Sequence, residues 1–128
     1  MQNKELTKAE EQVMQYLWKI EKGFLKDIVD QFPEPKPAYT TISTVIRVLV
    51  KKQFINFNTY GKIHEYYPLI SKNEYFRSHI DIIIKNFYNG STSNFISFFA
   101  DTKELSISDL EEIKMIIEKK IEIKKNKS

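Results

Sequence analysis

The sequence predicts a mainly α-helical protein of the α+β class, and three observations support this. Apolar residues recur at helical spacing over most of the chain, whereas β-branched and aromatic runs form only one pair, around a glycine. The chain has 128 residues, of which 41% are apolar and 29% charged, so it has room for one ordinary domain or two very small ones. We place a boundary between residues 1–71, where helices and strands are mixed, and residues 72–128, which are helical throughout.

The first two helices are predicted from their start and stop signals. Thr7-x-x-Glu10 has the form of a capping box, and it opens a helix over Thr7–Lys22. Gly23 is expected to take the left-handed conformation that ends this helix. A second, short helix is predicted over Leu25–Phe32, because the proline-rich stretch that follows cannot continue it.

The third helix is predicted over Ala38–Gln53, and its two faces differ sharply. One face is apolar and consists of Ile42, Val45, Ile46 and Leu49. The other face carries short hydroxyls and long cations without an acid: Thr40, Ser43, Thr44, Arg47 and Lys51. A solvent-facing helix usually mixes charges to gain pairs between neighbouring turns, so this face suggests an anionic partner.

A β-hairpin follows the third helix. Its strands are predicted at Phe54–Phe57 and Ile63–Tyr67, around a turn in which Gly61 can adopt a positive φ. Tyr60 and Lys62 then lie at its tip. Three helices followed by a hairpin is the element order of a winged helix-turn-helix domain, whose third helix enters the major groove of DNA while the hairpin touches the backbone.

The charge distribution agrees with this interpretation. Between Lys36 and Lys72 there are six basic residues against Glu65 alone, whereas the rest of the chain is close to neutral or acidic. Such a block is the electrostatic signature of a segment that lies against phosphates. Charge alone would fit a solvated basic face equally well.

The C-terminal half predicts three more helices: one over Tyr75–Tyr88, one over Ser91–Ala100 and one opened by the capping box Ser106-x-x-Asp109. Their apolar stripes are too large to leave uncovered, and we expect them to meet a second copy of the chain. The alternative is that they pack on the N-terminal domain. The expected dimerisation residues are Phe76, Ile80, Ile83, Phe87, Leu110, Ile113, Ile117 and Ile121.

Several classes of function are not expected. The chain has no cysteine, only three glycines and only two histidines, so it offers no thiol chemistry, no glycine-rich phosphate loop and no nucleophile–base pair. We therefore expect no enzyme activity, no cofactor and no metal. Without a signal peptide or an apolar stretch of membrane length, the expected location is the cytoplasm, with no membrane insertion.

The ordered motifs of this chain resemble those of the penicillinase-repressor family (the BlaI/MecI type). The resemblance rests on six segments: Leu6–Glu10, Val13-Met14, Leu17-Trp18, Thr41–Ile46, Leu49–Ile55 and Gly61–Leu69. It continues through Leu105-Ser106 and the terminal helix and so covers nearly the whole chain. It implies a winged-helix DNA-binding domain, a C-terminal helical dimerisation domain, and repression of β-lactamase-type operons through palindromic operators. It also implies a membrane sensor with a metalloprotease domain that relieves repression by cleaving the repressor.

The chain departs from the family pattern in three respects: on the third helix, just after it, and at the cleavage bond. The family commonly has a cation where this chain has Ser43 and an arginine where it has Val48, so the family's base contacts do not carry over there. Gln53 replaces a usual glycine. The family's Asn–Phe cleavage bond aligns with Phe98-Phe99, and the cysteine ligands of the related copper-responsive repressors are absent.

The sequence thus predicts a homodimeric repressor that binds double-stranded DNA, and the alternative is a winged-helix module that binds protein instead. The expected DNA-contacting residues lie on the third helix and the hairpin: Thr40, Thr41, Ser43, Thr44, Arg47, Lys51, Tyr60 and Lys62.

Overall fold

The computed structural model describes residues 5–102 and 104–127. By its contacts the chain divides into two compact units: an N-terminal unit that ends at Asp81 and a C-terminal unit that begins at Ile82. The elements are α1 (Lys8–Ile20), β1 (Gly23–Phe24), α2 (Leu25–Asp30), α3 (Tyr39–Lys51), β2 (Ile55–Tyr60), β3 (Ile63–Pro68), α4 (Lys72–Phe87), α5 (Thr92–Thr102) and α6 (Ile107–Lys127).

The contact boundary lies inside α4, whereas the sequence-based boundary at residue 71 lies just before it. The assignment of residues 1–71 and 72–128 to separate functions stays a prediction. Those ranges include residues 1–4, 103 and 128, which lie outside the described residues.

The start of α1 is the predicted capping box. Thr7 Oγ1 accepts the Glu10 N–H at 3.1 Å, and Glu10 Oε1 accepts the Thr7 N–H at 3.0 Å. Two backbone N–H groups that have no partner inside the helix are thereby satisfied, and the prediction is confirmed.

The predicted role of Gly23 at the end of α1 is wrong. Glu21 takes the positive φ, at 73°, and its N–H donates to the Leu17 carbonyl at 2.7 Å. Gly23 is buried in β1, where a Cβ atom would lie only 2.8 Å from Ile20 Cδ1. Gly23 thus lies where neighbouring side chains leave little room for a Cβ atom, and it does not end the helix.

The sheet has three antiparallel strands in the order β1-β3-β2, one strand more than predicted. Gly23 pairs with Tyr66 on one side of β3, and Phe57 pairs with Tyr66 on the other. The strands β2 and β3 form the wing, joined by a turn of two residues, Gly61 and Lys62. Gly61 has φ of 63°, so its predicted positive φ is confirmed, although the turn is tighter than expected.

The core of the N-terminal unit forms where α1, α2 and α3 meet. The apolar face of α3 points into it as predicted, with Val45 half-buried and the other members of the face buried. The fully buried core side chains are Val13, Met14, Leu17, Ile28, Val29, Ile46, Leu49 and Ile55. This packing fixes which face of α3 is left for solvent.

The end of α3 is a Schellman motif without a glycine. The Phe54 N–H donates to the Leu49 carbonyl and the Gln53 N–H to the Val50 carbonyl, both at 3.0 Å. Gln53 has φ of 68°, in the left-handed region that glycine normally fills. The substitution seen in the sequence therefore falls at a position where a side chain is disfavoured.

Packing extends past residue 71 into the first turns of α4. Ser71 and Glu74 form a capping box that sequence reasoning missed, with bonds of 2.9 and 3.0 Å. Tyr75 is buried, and its ring lies 5.7 Å from that of Trp18, whose Nε1 donates to the Ile70 carbonyl at 2.8 Å. The start of α4 is thus part of the N-terminal core.

The C-terminal unit contains the rest of α4, α5 and α6. The second predicted capping box is confirmed, since Ser106 Oγ accepts the Asp109 N–H at 3.0 Å and Asp109 Oδ2 accepts the Ser106 N–H at 3.1 Å. The helix α6 continues through the lysine-rich tail to Lys127. Within the described residues, no helix has the length and apolar content needed to cross a bilayer.

Candidate nucleic-acid interface

The core leaves the polar face of α3 open to solvent. Because Ile42, Ile46 and Leu49 are buried, the residues half a turn away from them face solvent. Ser43 is half-buried at one edge of this face. The exposed members predicted from the sequence are Thr40, Thr41, Thr44, Arg47 and Lys51.

The start of α3 has no side-chain cap. Its N-cap residue is Ala38, which has no side-chain oxygen, and the Ala38 carbonyl accepts the N–H groups of Thr41 and Ile42 at 3.1 and 3.2 Å. The threonine and serine hydroxyls therefore do not serve as the cap. An uncapped helix start attracts anions, because its first N–H groups and the helix dipole both favour negative charge.

Thr44 uses its hydroxyl inside the helix. Its Oγ1 donates to the Thr40 carbonyl at 3.0 Å, one turn earlier. A hydroxyl has only one proton to donate, so Thr44 can still accept a hydrogen bond but offers an incoming ligand no donor.

The wing brings two further predicted residues to the surface. Tyr60, the last residue of β2, is 53% exposed, and its ring lies 6.2 Å from that of Phe24. Lys62 lies in the two-residue turn and is exposed. Sequence and structure agree that a tyrosine and a lysine occupy the end of the wing.

A cleft of about 330 Å³ separates α3 from the sheet. Ser43 and Arg47 line it from the helix, and Phe57, His64 and Tyr66 line it from the strands. Burial raises the pKa of the Tyr66 hydroxyl, and the nearby Arg47 charge partly offsets this rise. The Arg47 side chain therefore lies on the side of α3 that faces the wing.

The three aromatic rings of this cleft were missed by sequence reasoning. The rings of Phe57 and His64 lie 4.1 Å apart, and Thr59 Oγ1 is 3.1 Å from His64 Nδ1. The available signal was the alternation of strand residues, which puts His64 and Tyr66 on one face of β3. This packing holds the wing strands in a fixed conformation beside α3.

Not all of the basic block belongs to this surface. Lys36 Nζ donates to the carbonyls of Asp30 and Phe32 at 3.0 and 2.8 Å, at the end of α2. Lys52 Nζ lies 2.7 Å from Glu10 Oε1 in an ion pair. These two cations stabilise the fold, so the cations left on α3 and the wing are Arg47, Lys51 and Lys62.

The predicted dimerisation residues are apolar side chains that the single chain leaves open. Ile113 is half-buried, and the others are exposed, Phe87 most of all at 77%. The helix α6 carries additional exposed apolar residues outside the predicted stripe: Ile107, Met115, Ile116 and Ile123. A helix that is apolar on more than one side is normally covered on more than one side.

Phe98 and Phe99, the residues aligned with the family's cleavage bond, lie inside α5. Both are exposed in the single chain, and the Phe98 ring lies 6.0 Å from that of Tyr88. Across residues 5–102 and 104–127, no three His, Cys, Asp or Glu side chains come together as a metal site would require.

Comparison with known proteins agrees with this architecture. The model of the penicillinase repressor family matches residues 6–119. The methicillin resistance regulatory protein MecI of Staphylococcus aureus (strain N315) is 29% identical over 123 residues, which cover 94% of this chain and 100% of that protein. The penicillinase repressor of Bacillus licheniformis is 25% identical over 115 residues, 89% of this chain and 90% of that protein.

A solved structure supports the fold of the N-terminal unit. The solution structure of the DNA binding domain of the repressor BlaI superposes with a TM-score of 0.50 at 24% identity, over 58% of this chain and 92% of that chain. Both show a winged helix.

Proposed function

Because the chain belongs to the penicillinase repressor family, we propose that it is a homodimeric repressor that binds a palindromic operator of a β-lactamase-type or related operon and is released by proteolysis. The relatives are transcriptional repressors rather than enzymes. The observation that carries the proposal is the acid-free face of α3, which has an uncapped start and exposes Arg47 and Lys51 in its C-terminal half.

In this proposal α3 lies in the major groove. Its first N–H groups and the hydroxyls of Thr40, Thr41 and Ser43 bind phosphates or base edges near the helix start. Lys51 contacts phosphate, and Arg47 contacts a base edge or a phosphate from the wing side of the helix. Thr44 takes part without donating a hydrogen bond, since its proton is used within α3.

The wing lies along the sugar-phosphate backbone. Lys62 supplies positive charge from the turn, and Tyr60 provides a phosphate hydrogen bond or a packing surface. The turn of Gly61 and Lys62 brings the cation to the end of the hairpin, where a neighbouring phosphate can be reached.

Dimerisation covers the apolar residues of α4 and α6, which would otherwise remain in water. Two-fold symmetry then presents two copies of α3 to two half-sites about one helical turn, or a multiple of it, apart. Because the two DNA-binding domains are joined in the dimer, binding at one half-site favours binding at the other. This linkage supplies most of the operator affinity.

In this proposal, a membrane sensor metalloprotease cuts the repressor within α5, and the cut repressor leaves the operator. A cut at Phe98-Phe99 separates the DNA-binding half from α6 and so removes dimer contacts. The peptide bond lies inside a helix, so a protease reaches it only after local unfolding.

A salt titration of binding to duplex DNA tests DNA recognition. Lys51 and Lys62 in each protomer give four phosphate contacts per dimer, or six if Arg47 also contacts phosphate, for which the log–log slope of affinity against salt is about −4 to −5. Lys51→Ala should lower affinity for all duplexes and reduce the slope by about two, because both protomers lose a contact. Lys19→Ala removes an exposed cation from α1 and serves as the control.

Arg47→Ala distinguishes base contact from phosphate contact. A base contact predicts a loss of about 1–3 kcal/mol on the preferred sequence together with relaxed specificity. If both the Arg47 and Lys51 variants bind DNA like the parent chain, α3 is not the recognition helix. A parent chain that binds no duplex would favour the protein-interaction module instead.

Sedimentation tests the dimer. Ile113→Asp and Ile117→Asp each place a carboxylate in the proposed interface and should yield monomers with weakened operator binding. Glu118→Lys changes a charge on the polar side of α6, between Glu111 and Glu122, and should remain dimeric. Dimers of unchanged stability in the isoleucine variants would exclude this interface.

Co-expression with a membrane metalloprotease encoded beside the gene tests release. Fragment masses corresponding to cleavage between Phe98 and Phe99 are expected under inducing conditions. An intact chain under those conditions would mean that another route ends repression.

A further inference from the structure

One apolar side chain interrupts the polar face of α3. Val48 is 38% exposed, although its neighbours Arg47 and Lys51 are cations and Thr44 lies one turn before it. An isolated exposed valine is ordinary on a protein surface, but this one lies within the face that meets the partner.

Thr44 contributes a second apolar group at the same place. Its hydroxyl proton is held by the Thr40 carbonyl at 3.0 Å. What Thr44 adds to the surface is therefore a methyl group and an acceptor oxygen. Thr44 and Val48 are four residues apart, so their side chains are neighbours along the helix.

The two edges of the α3 face thus differ chemically. Ser43 and Arg47, also four residues apart, line the cleft beside the wing. At 100° per residue, Thr44 and Val48 lie on the edge turned away from that cleft. One edge carries a guanidinium, and the other carries methyl groups.

We propose that Thr44 and Val48 read the 5-methyl group of thymine in the major groove, which makes them specificity-determining residues of the operator contact. The inference rests on the proposed function. Of the four bases only thymine places a methyl group in the major groove, and apolar side chains such as a threonine methyl recognise it by contact. Cytosine at the same position leaves these methyl groups without a partner.

The test begins with selection of the preferred duplex from a random pool by the full-length chain. Each thymine of that duplex is then replaced by uracil, which keeps the base pair and removes only the 5-methyl group. Each thymine is replaced singly, and at one or two positions in each half-site a single uracil should lower affinity about fourfold, the effect of losing one buried methyl contact.

Two variants assign the effect to the proposed residues. Val48→Ser, which removes both γ-methyl groups, should lose the thymine preference at one of these positions while keeping the salt slope of the parent chain. Thr44→Ser removes the methyl group but retains the hydroxyl bond to Thr40, so it should act in the same way. Gln12→Ala, an exposed change on α1, is the matched control for handling and folding.

The outcomes separate this inference from the proposed function. A chain that enriches no sequence overturns the proposed function and this inference with it. A chain that enriches a sequence in which no thymine responds to uracil overturns the inference alone. The same holds if the uracil effect persists unchanged in both variants.

Discussion

Replacing Lys52 by methionine should lower the free energy of unfolding of the N-terminal unit by about 1–3 kcal/mol at pH 7. Lys52, which caps the end of α3, lies 2.7 Å from Glu10 Oε1 in the first turn of α1. Glu10 is only 6% exposed, and Lys52 is the cation paired with it. The pair therefore connects the start of one core helix to the end of another.

The magnitude follows from the burial of the two partners. Removing one partner of a fully buried pair costs about 3–5 kcal/mol, and exposed pairs contribute about 0–1 kcal/mol. The Glu10 side chain is 8% exposed and the Lys52 side chain 25% exposed, so the pair lies between these limits. Methionine keeps most of the apolar stem of lysine, which limits the loss to the charge.

The effect should depend on pH in a defined direction. Burial alone would raise the pKa of the Glu10 carboxyl, but the bonds from Lys52 and Thr7 and the Lys52 charge hold it below its usual value. Ionised Glu10 therefore stabilises the folded state at pH values above the pKa that its carboxyl has in the unfolded chain. This contribution is lost as the pH falls through the lower pKa of the same carboxyl in the folded state. Without Lys52 the pKa of Glu10 rises, so the difference between variant and parent should shrink below about pH 4.

Trp18 provides the assay, because it is the only tryptophan and lies in the same unit. Urea unfolding followed by its fluorescence gives the free energy at several pH values. Glu10→Gln retains the capping box, and the double variant measures the coupling between the two residues. A loss below about 0.5 kcal/mol at pH 7, or one independent of pH, would refute the reasoning.

Three further changes have definite expected outcomes. Gln53→Gly should raise the free energy of unfolding by about 0.5–1 kcal/mol. Glycine removes the steric strain of a side chain at positive φ, and this gain exceeds the cost of the conformational entropy that glycine adds to the unfolded chain. Gln53→Ala is its control, and a gain there as well would refute the backbone explanation. Gly23→Ala should lower stability by about 1 kcal/mol, because its Cβ would lie 3.1 Å from Asp27 Cβ and would displace the terminal methyl of Ile20, 2.8 Å away. An unchanged urea midpoint would mean that both side chains move aside without cost. Lys62→Glu should weaken binding to every duplex alike, measured by fluorescence anisotropy, and an unchanged affinity at low salt would remove the wing from the interface.

The features predicted correctly from the sequence are those determined by neighbours along the chain. A capping box spans four residues, and an amphipathic helix face repeats within two turns. The sequence therefore predicts correctly that Thr7 and Ser106 open helices and which face of α3 is buried. Gly61 was predicted on the same basis, because a tight hairpin turn needs a positive φ locally.

The features that were missed depend on contacts between distant residues. The strand β1 has only two residues and exists because Gly23 and Phe24 pair with β3, more than forty positions away. For the same reason, the sequence overestimates the number of cations that are available to an anionic partner. A sequence pattern cannot show that Lys52 meets Glu10 or that Lys36 meets the end of α2.

The aromatic packing of the wing also gives the protein an intrinsic signal in its proton NMR spectrum. There are two histidines, and each lies against a ring in a different geometry. The His64 imidazole is tilted by 33° to the Phe57 ring at 4.1 Å, whereas His79 on α4 meets Tyr75 nearly edge to face, at 83° and 4.3 Å. Ring currents from these neighbours displace the two sets of imidazole proton resonances differently, so an unlabelled sample gives one resonance set that follows the wing and a second that follows the start of α4.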